Sequence, residues 1–168
     1  KGGQTETARA YRKQRMAELR LALQNDSMGF EAQRSYAFKI EGLSRSTDAA
    51  RTAVDFRPQD FDTVAAEQLA AIDAAGLPDD RRAQARQTAL EKIASAAVDS
   101  RIRRDPYGMR KALADEKTKD SAIRSLPYEV RQQARRAADS EINRREAEAR
   151  ARQGEQRDLL RSDIDDAM

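Results

Sequence analysis

The sequence predicts an all-α protein of about seven helices, built as antiparallel helix-pair repeats with a long protruding C-terminal helix. Three observations carry that expectation. Alanine (31 of 168 residues), arginine (25), glutamate and glutamine dominate the composition, and all are good helix formers. Apolar residues recur at three- and four-residue intervals, the period of one helix face. A stretch beginning Leu77-Pro78 returns as Leu126-Pro127, displaced by 49 residues. Over residues 77–93 against 126–142, 8 of 17 positions are identical, including Arg82/Arg131, Arg86/Arg135, Ala89/Ala138 and Ile93/Ile142. Chance in such a composition matches roughly one position in ten.

Three helices are expected before the first proline. Residues 5–24 carry Tyr11, Met16, Leu19 and Leu23 near 3.6 spacing. Asn25-Asp26-Ser27 offers a stop and a new N-cap. Residues 28–41 follow, with Phe30, Tyr36, Ala37, Ile40 and Leu43 as the expected buried side and Gly42 as C-cap. This is the most aromatic part of the chain, so tight packing is expected there. After a polar break at residues 44–48, a third helix spans 48–55. Pro58 ends it, lacking an amide donor and disfavouring a helical Arg57.

Asp60 or Asp62 then caps a fourth helix with the stripe Phe61, Ala65, Leu69 and Ile72, closed by Gly76. Pro78 suits a first turn, and Asp79 and Asp80 suit the positive end of the helix that follows. That helix runs over about 79–103 with Leu90, Ile93/Ala94, Ala97/Val98 and Ile102 inward. Arg101, Arg103 and Arg104 crowd its negative end. Asp105-Pro106 supplies a cap and a first-turn proline for the next helix. In it Met109, Ala112 and Leu113 mirror Phe61, Val64 and Ala65 when Pro58 is matched to Pro106. Residues 117–120 read as a polar loop, and 121–125 as a helical turn carrying Ile123.

The second Leu-Pro copy starts the last helix, about 127–166, with Val130, Ala134, Ala137/Ala138 and Ile142 inward. From 143 to 158 it has no large apolar residue, so it is held by charge pairs such as Glu146–Arg150 and Glu148–Arg152, each worth about a few tenths of a kcal/mol, or by a partner. Leu159, Leu160 and Ile164 restore an apolar tip, a candidate partner-docking patch. The expected organisation is an N-terminal helical segment (1–57), a two-copy helix-pair repeat of period 48–49 (58–142) and a charged extension (143–168).

Composition excludes much chemistry. Cysteine and histidine are absent, so no disulfide, zinc site or histidine-based triad is available. No apolar run approaches the roughly 20 residues that span a bilayer, and no secretory leader is visible. Net charge is only +3, too little to read the low content of large apolar residues as disorder. Charge is uneven: residues 1–58 carry 11 basic and 7 acidic side chains, residues 59–100 carry 4 and 8, and residues 101–168 carry 17 and 14. No phosphate-binding glycine loop has the required setting. Asp163, Asp165 and Asp166 lack the glycine turn and bidentate glutamate of a calcium loop and read as a solvated cluster. No catalytic, cofactor-binding or metal-binding residue is assigned, and no enzymatic activity is expected of this segment. Arg101, Arg103 and Arg104 are candidate phosphate contacts. Arg82/Arg131 and Arg86/Arg135 are expected to bridge to acids of neighbouring helices.

Asp105-Pro106 with Leu113, Leu126-Pro127 with Arg131 and Arg135, and the long Ala/Arg/Glu helix closing on Arg157-Asp158-Leu159-Leu160-Arg161-Ser162-Asp163-Ile164 resemble helical regions of internal virion (ejection) proteins of tailed phages. The resemblance spans roughly residues 60–168 and rests on pattern. It implies a structural segment of a larger polypeptide that leaves the capsid with the genome and builds an oligomeric conduit across the host envelope. Its implied partners are other copies of itself, other virion proteins and possible contact with the DNA backbone, with no small molecule and no transmembrane segment. Its implied location is the virion and then the bacterial envelope or periplasm, or otherwise the cytoplasm. A helical nucleic-acid-binding or scaffold module is the alternative. The lytic glutamate of some members of that class is not visible in this chain.

Overall fold

The computed structural model describes the backbone of residues 3–165 and the side chains of residues 33–157 with Arg15, Met16, Glu18 and Arg20. Six α-helices and no strand occur among the described residues. They are α1 (Gly3–Phe56), α2 (Phe61–Ala74), α3 (Asp79–Arg104), α4 (Pro106–Ala114), α5 (Ser121–Arg124) and α6 (Tyr128–Asp165). A 3₁₀ turn, Pro58–Asp60, joins α1 to α2. The all-α class is as expected. The chain divides into two compact units, Lys1–Leu43 and Ser44–Met168.

Residues 3–56 form one helix where three were expected. Asn25, Asp26, Ser27, Gly42 and the polar run 44–48 all lie inside it. Each such residue costs at most about 1 kcal/mol within a helix, whereas ending and restarting one requires a new, unfavourable nucleus. Only Pro58 removes a donor and enforces a stop. The aromatic stretch of α1 is not buried as expected: Tyr36 is 40% exposed, Ile40 46% and Phe38 77%. Ala37 is exposed too, and Leu43 is half-buried. The side chains of Tyr11, Leu19, Leu23 and Phe30 lie outside the described residues, and Met16 is exposed.

In the second unit, α2 and α3 form an antiparallel hairpin. Arg86 meets Asp73 near its turn, and Arg101 reaches the Pro58 carbonyl at its far end. Gly76 makes the turn with φ 64°, a left-handed conformation that a side chain would strain. Pro78 occupies the N-cap position, one residue before the helix proper. The helices α4 and α6 also run antiparallel, since Arg110 faces Asp139 and Tyr107 faces Glu146. Both hairpins share one core. It contains Val54 from α1, Phe61 and Ala65 from α2, and Ile93, Ala94, Ala97, Val98 and Ile102 from α3. Met109, Leu113, Ala122, Ile123, Leu126, Ala134 and Ala138 complete it among the described residues. Much of it is alanine, so backbones approach closely through small contacts.

Three apolar pairs of the doubled motif share their burial. Leu77 and Leu126, Ala89 and Ala138, and Ile93 and Ile142 are buried in both copies. Phe61 and Met109 are buried, Val64 and Ala112 half-buried, and Ala65 and Leu113 buried. Both long helices open with the same bond: the Arg82 amide donates to the Pro78 carbonyl at 2.8 Å, and the Arg131 amide to the Pro127 carbonyl at 2.9 Å. The copies differ where α2 runs unbroken while its counterpart splits into α4 and α5 around the loop 115–120.

Candidate functional site

The densest polar construction is the C-terminal end of α3. Three arginines there meet the negative end of the helix dipole, and each also crosses to another element. Arg101 is largely covered. It donates to the Asp120 carboxylate at 2.5 Å and to the Pro58 carbonyl at 2.8 Å. Asp120 uses its other oxygen to cap α5, accepting from the Ile123 amide at 3.2 Å. One carboxylate thus starts a helix and anchors a neighbouring one. Arg103 pairs with Asp55 of α1, and its own carbonyl accepts a bond from Arg145 of α6. Arg104 donates to the Phe56 carbonyl, one of the last carbonyls of α1 and without a helical partner of its own. The three residues assigned as phosphate contacts therefore tie α1, α5, α6 and the 3₁₀ turn to α3.

Beside the apolar contact of Val54 with the core, further polar contacts join α1 to the hairpin. Ser100, buried on α3, donates to the Asp55 carbonyl at 2.5 Å. Gln68, buried on α2, donates through Nε2 to Thr47 Oγ1 at 2.8 Å and to Ser46 Oγ at 2.9 Å. Lys92 faces Asp48 at 3.9 Å. Burial pushes the Asp99 carboxyl above its ordinary range; Arg103 opposes this, Asp55 reinforces it and Arg51 opposes it.

The repeated arginines follow expectation only in part. Arg86 bridges α3 to α2 through Asp73, but Arg82 pairs with Asp79 of its own helix. Arg131 donates to the Leu126 carbonyl at 3.5 Å while its Nε is buried without a partner, and Arg135 is exposed. Sequence reading missed Gln68. It lies three residues after Ala65 and four before Ile72, on the buried face, and its polarity hid it. Leu69, expected there instead, is half-buried. Asp120 carried a legible signal, an acidic residue directly before the Ser121-Ala122-Ile123 turn.

Beyond Ile142, α6 carries a ladder of ion pairs. Arg144 bonds Glu141 and Glu148, Arg145 also bonds Glu141, and Arg150 pairs with Glu146 at 3.3 Å. Glu146–Arg150 is the expected pair, whereas Glu148 turns to Arg144 instead of Arg152. Hydrogen bonds from Arg144, then Arg145, pull the Glu141 carboxyl down to about 2. Residues 147–157 are exposed on every face of the helix. The side chains of Leu159, Leu160 and Ile164 lie outside the described residues. Among the described residues no group of acids is placed to hold a metal ion, and no helix is long and apolar enough to cross a membrane.

No family model, curated protein or solved structure matches the chain.

Proposed function

We propose that this chain is a structural, assembly segment of a larger virion protein of a tailed phage or prophage, of the ejection class, and that it works by self-association. One observation carries the assembly reading. The chain has few large apolar residues, yet it spends Tyr36, Phe38 and Ile40 on an exposed helical stretch. Tyr36 and Ile40, four residues apart, share one helix face while Phe38 stands on the opposite side, and large apolar side chains left without cover call for a partner. The extension of α6, polar and exposed on every face over residues 147–157, is a second uncovered helix. The virion part of the reading draws on the sequence resemblance.

The alternative, a nucleic-acid-binding module, has less support. Arg101, Arg103 and Arg104 are each engaged with an acid or a carbonyl, and acids are interleaved around them. Mass spectrometry of particles purified from the induced source strain is the direct test. Peptides from residues 1–168, at a copy number comparable to known minor virion proteins, are expected. Their absence from particles would reject the virion reading.

A further inference from the structure

The second copy of the repeat departs from the first after Ile142. In the 49-residue register, Ala94, Val98 and Ile102, all buried in α3, correspond to Asn143, Ala147 and Ala151. Asp105-Pro106, where α3 stops, corresponds to Gly154-Glu155. The first copy thus ends in a covered helix and a proline break. The second lacks both the apolar stripe and the proline, and its helix continues to Asp165. The described contacts of α6 with the bundle reach Arg145, which bonds the Arg103 carbonyl, and Glu146, which accepts from the Tyr107 hydroxyl at 3.4 Å. From Ala147 to Arg157 every residue is exposed.

That exposure leaves no large apolar side chain in water, unlike the exposure of Tyr36, Phe38 and Ile40. Ten of the eleven residues 147–157 are Ala, Glu, Gln or Arg, all good helix formers, and Gly154 is the exception. A helix this short is marginal alone in water because its nucleus is costly. Here the packed part of α6 supplies the nucleus, and each further residue only propagates it. Ion pairs run along the same helix, Glu141–Arg144–Glu148 and Glu146–Arg150. Being exposed, they add less than the propensity does. Three arginines against two glutamates leave the stretch with little net charge, so it does not repel itself.

We propose that residues 147–157 are a free-standing helical spacer, a rod that holds the chain beyond Arg157 at a set distance from the bundle. Eleven residues at 1.5 Å each give it a reach of roughly 16 Å. Its stiffness comes from its own backbone hydrogen bonds and side-chain pairs, and it takes no partner surface. This goes beyond the assembly reading and does not rest on it. The rod is a property of a single copy, so it is tested on the monomer, and self-association fails or holds separately.

The chain contains no cysteine, so a pair introduced for spin labels is the only site of attachment. Arg136→Cys and Arg157→Cys place the labels at exposed positions, one on the packed part of α6 and one at the end of the rod. Pulsed dipolar spectroscopy is run on the 168-residue chain, diluted until light scattering gives the 18.9 kDa monomer. The labels are 21 residues apart, so a rod gives one narrow distance distribution at roughly 32 Å. Gly154→Ala, whose added Cβ meets nothing within 4 Å, keeps it narrow. Ala151→Pro removes a backbone donor and spreads it, with the thermal midpoint of the bundle unchanged. A broad distribution in the monomer, a narrow one that appears only as the mass rises, or a distribution indifferent to Ala151→Pro would each overturn the proposal.

Discussion

Two glycines that look alike in the sequence act in opposite ways. At Gly42, inside α1, an added Cβ meets nothing within 4 Å. At Gly108, in the first turn of α4, it runs into the Asp105 carboxylate. That carboxylate caps α4 by accepting from the Gly108 amide at 2.9 Å, so any side chain at Gly108 expels the cap. Gly42→Ala is expected to raise helix stability by roughly 0.5–1 kcal/mol. Gly108→Ala is expected to lose about 0.5–2 kcal/mol through the cap, outweighing its better helix propensity. Chemical denaturation of the two variants beside the parent chain decides it. Equal shifts in both would show that the Asp105 cap contributes nothing. The cap itself was legible, because Asp105-Pro106 is a helix-start pair. The closeness of Asp105 to Gly108 was not, because it depends on the rotamer the cap adopts.

At the scale of the element, α1 and α6 carry the main lessons. Local signals at Asn25-Asp26-Ser27 and Gly42 predicted helix ends, and α1 runs through them because interior costs of that size do not offset a fresh nucleus. Prolines were reliable markers: Pro58, Pro78, Pro106 and Pro127 all stand at helix boundaries. In α6 the charged extension was legible as such, but the partner choice of Glu148 was not, since Arg144 and Arg152 are both four residues away. Glu141 gives this helix a defined pH response. Its carboxyl is held at about 2 by Arg144 and Arg145, below the ordinary value of about 4.3. A depressed carboxyl stabilises the fold above its unfolded value, and this contribution disappears as pH falls through the folded value. Glu141→Gln is expected to lower the thermal midpoint at pH 7. The gap from the parent should narrow between about pH 4.3 and pH 2. A gap that persists unchanged across that range would show that the ion pairs are not its source.

At the scale of the molecule, every residue of the core cluster lies between Val54 and Ala138, within the unit Ser44–Met168. Removing residues 1–43 is therefore expected to leave the unfolding midpoint of that unit within a few degrees of the parent, about the effect of 1 kcal/mol or less. A collapse of the midpoint in differential scanning calorimetry would show that the N-terminal helix supports the core. Helical class, the proline-marked starts, the inward stripes of α3 and the correspondence of Ile93 with Ile142 were all determined by the sequence. They follow from propensity, backbone chemistry and 3.6 periodicity, which act over a few residues. Tertiary structure alone decided that Gln68 rather than Leu69 is buried, that Arg101, Arg103 and Arg104 stitch α1, α5 and α6 to α3, and that Tyr36, Phe38 and Ile40 stay uncovered. Those outcomes depend on which surfaces remain once distant segments have packed, and no local spacing encodes that.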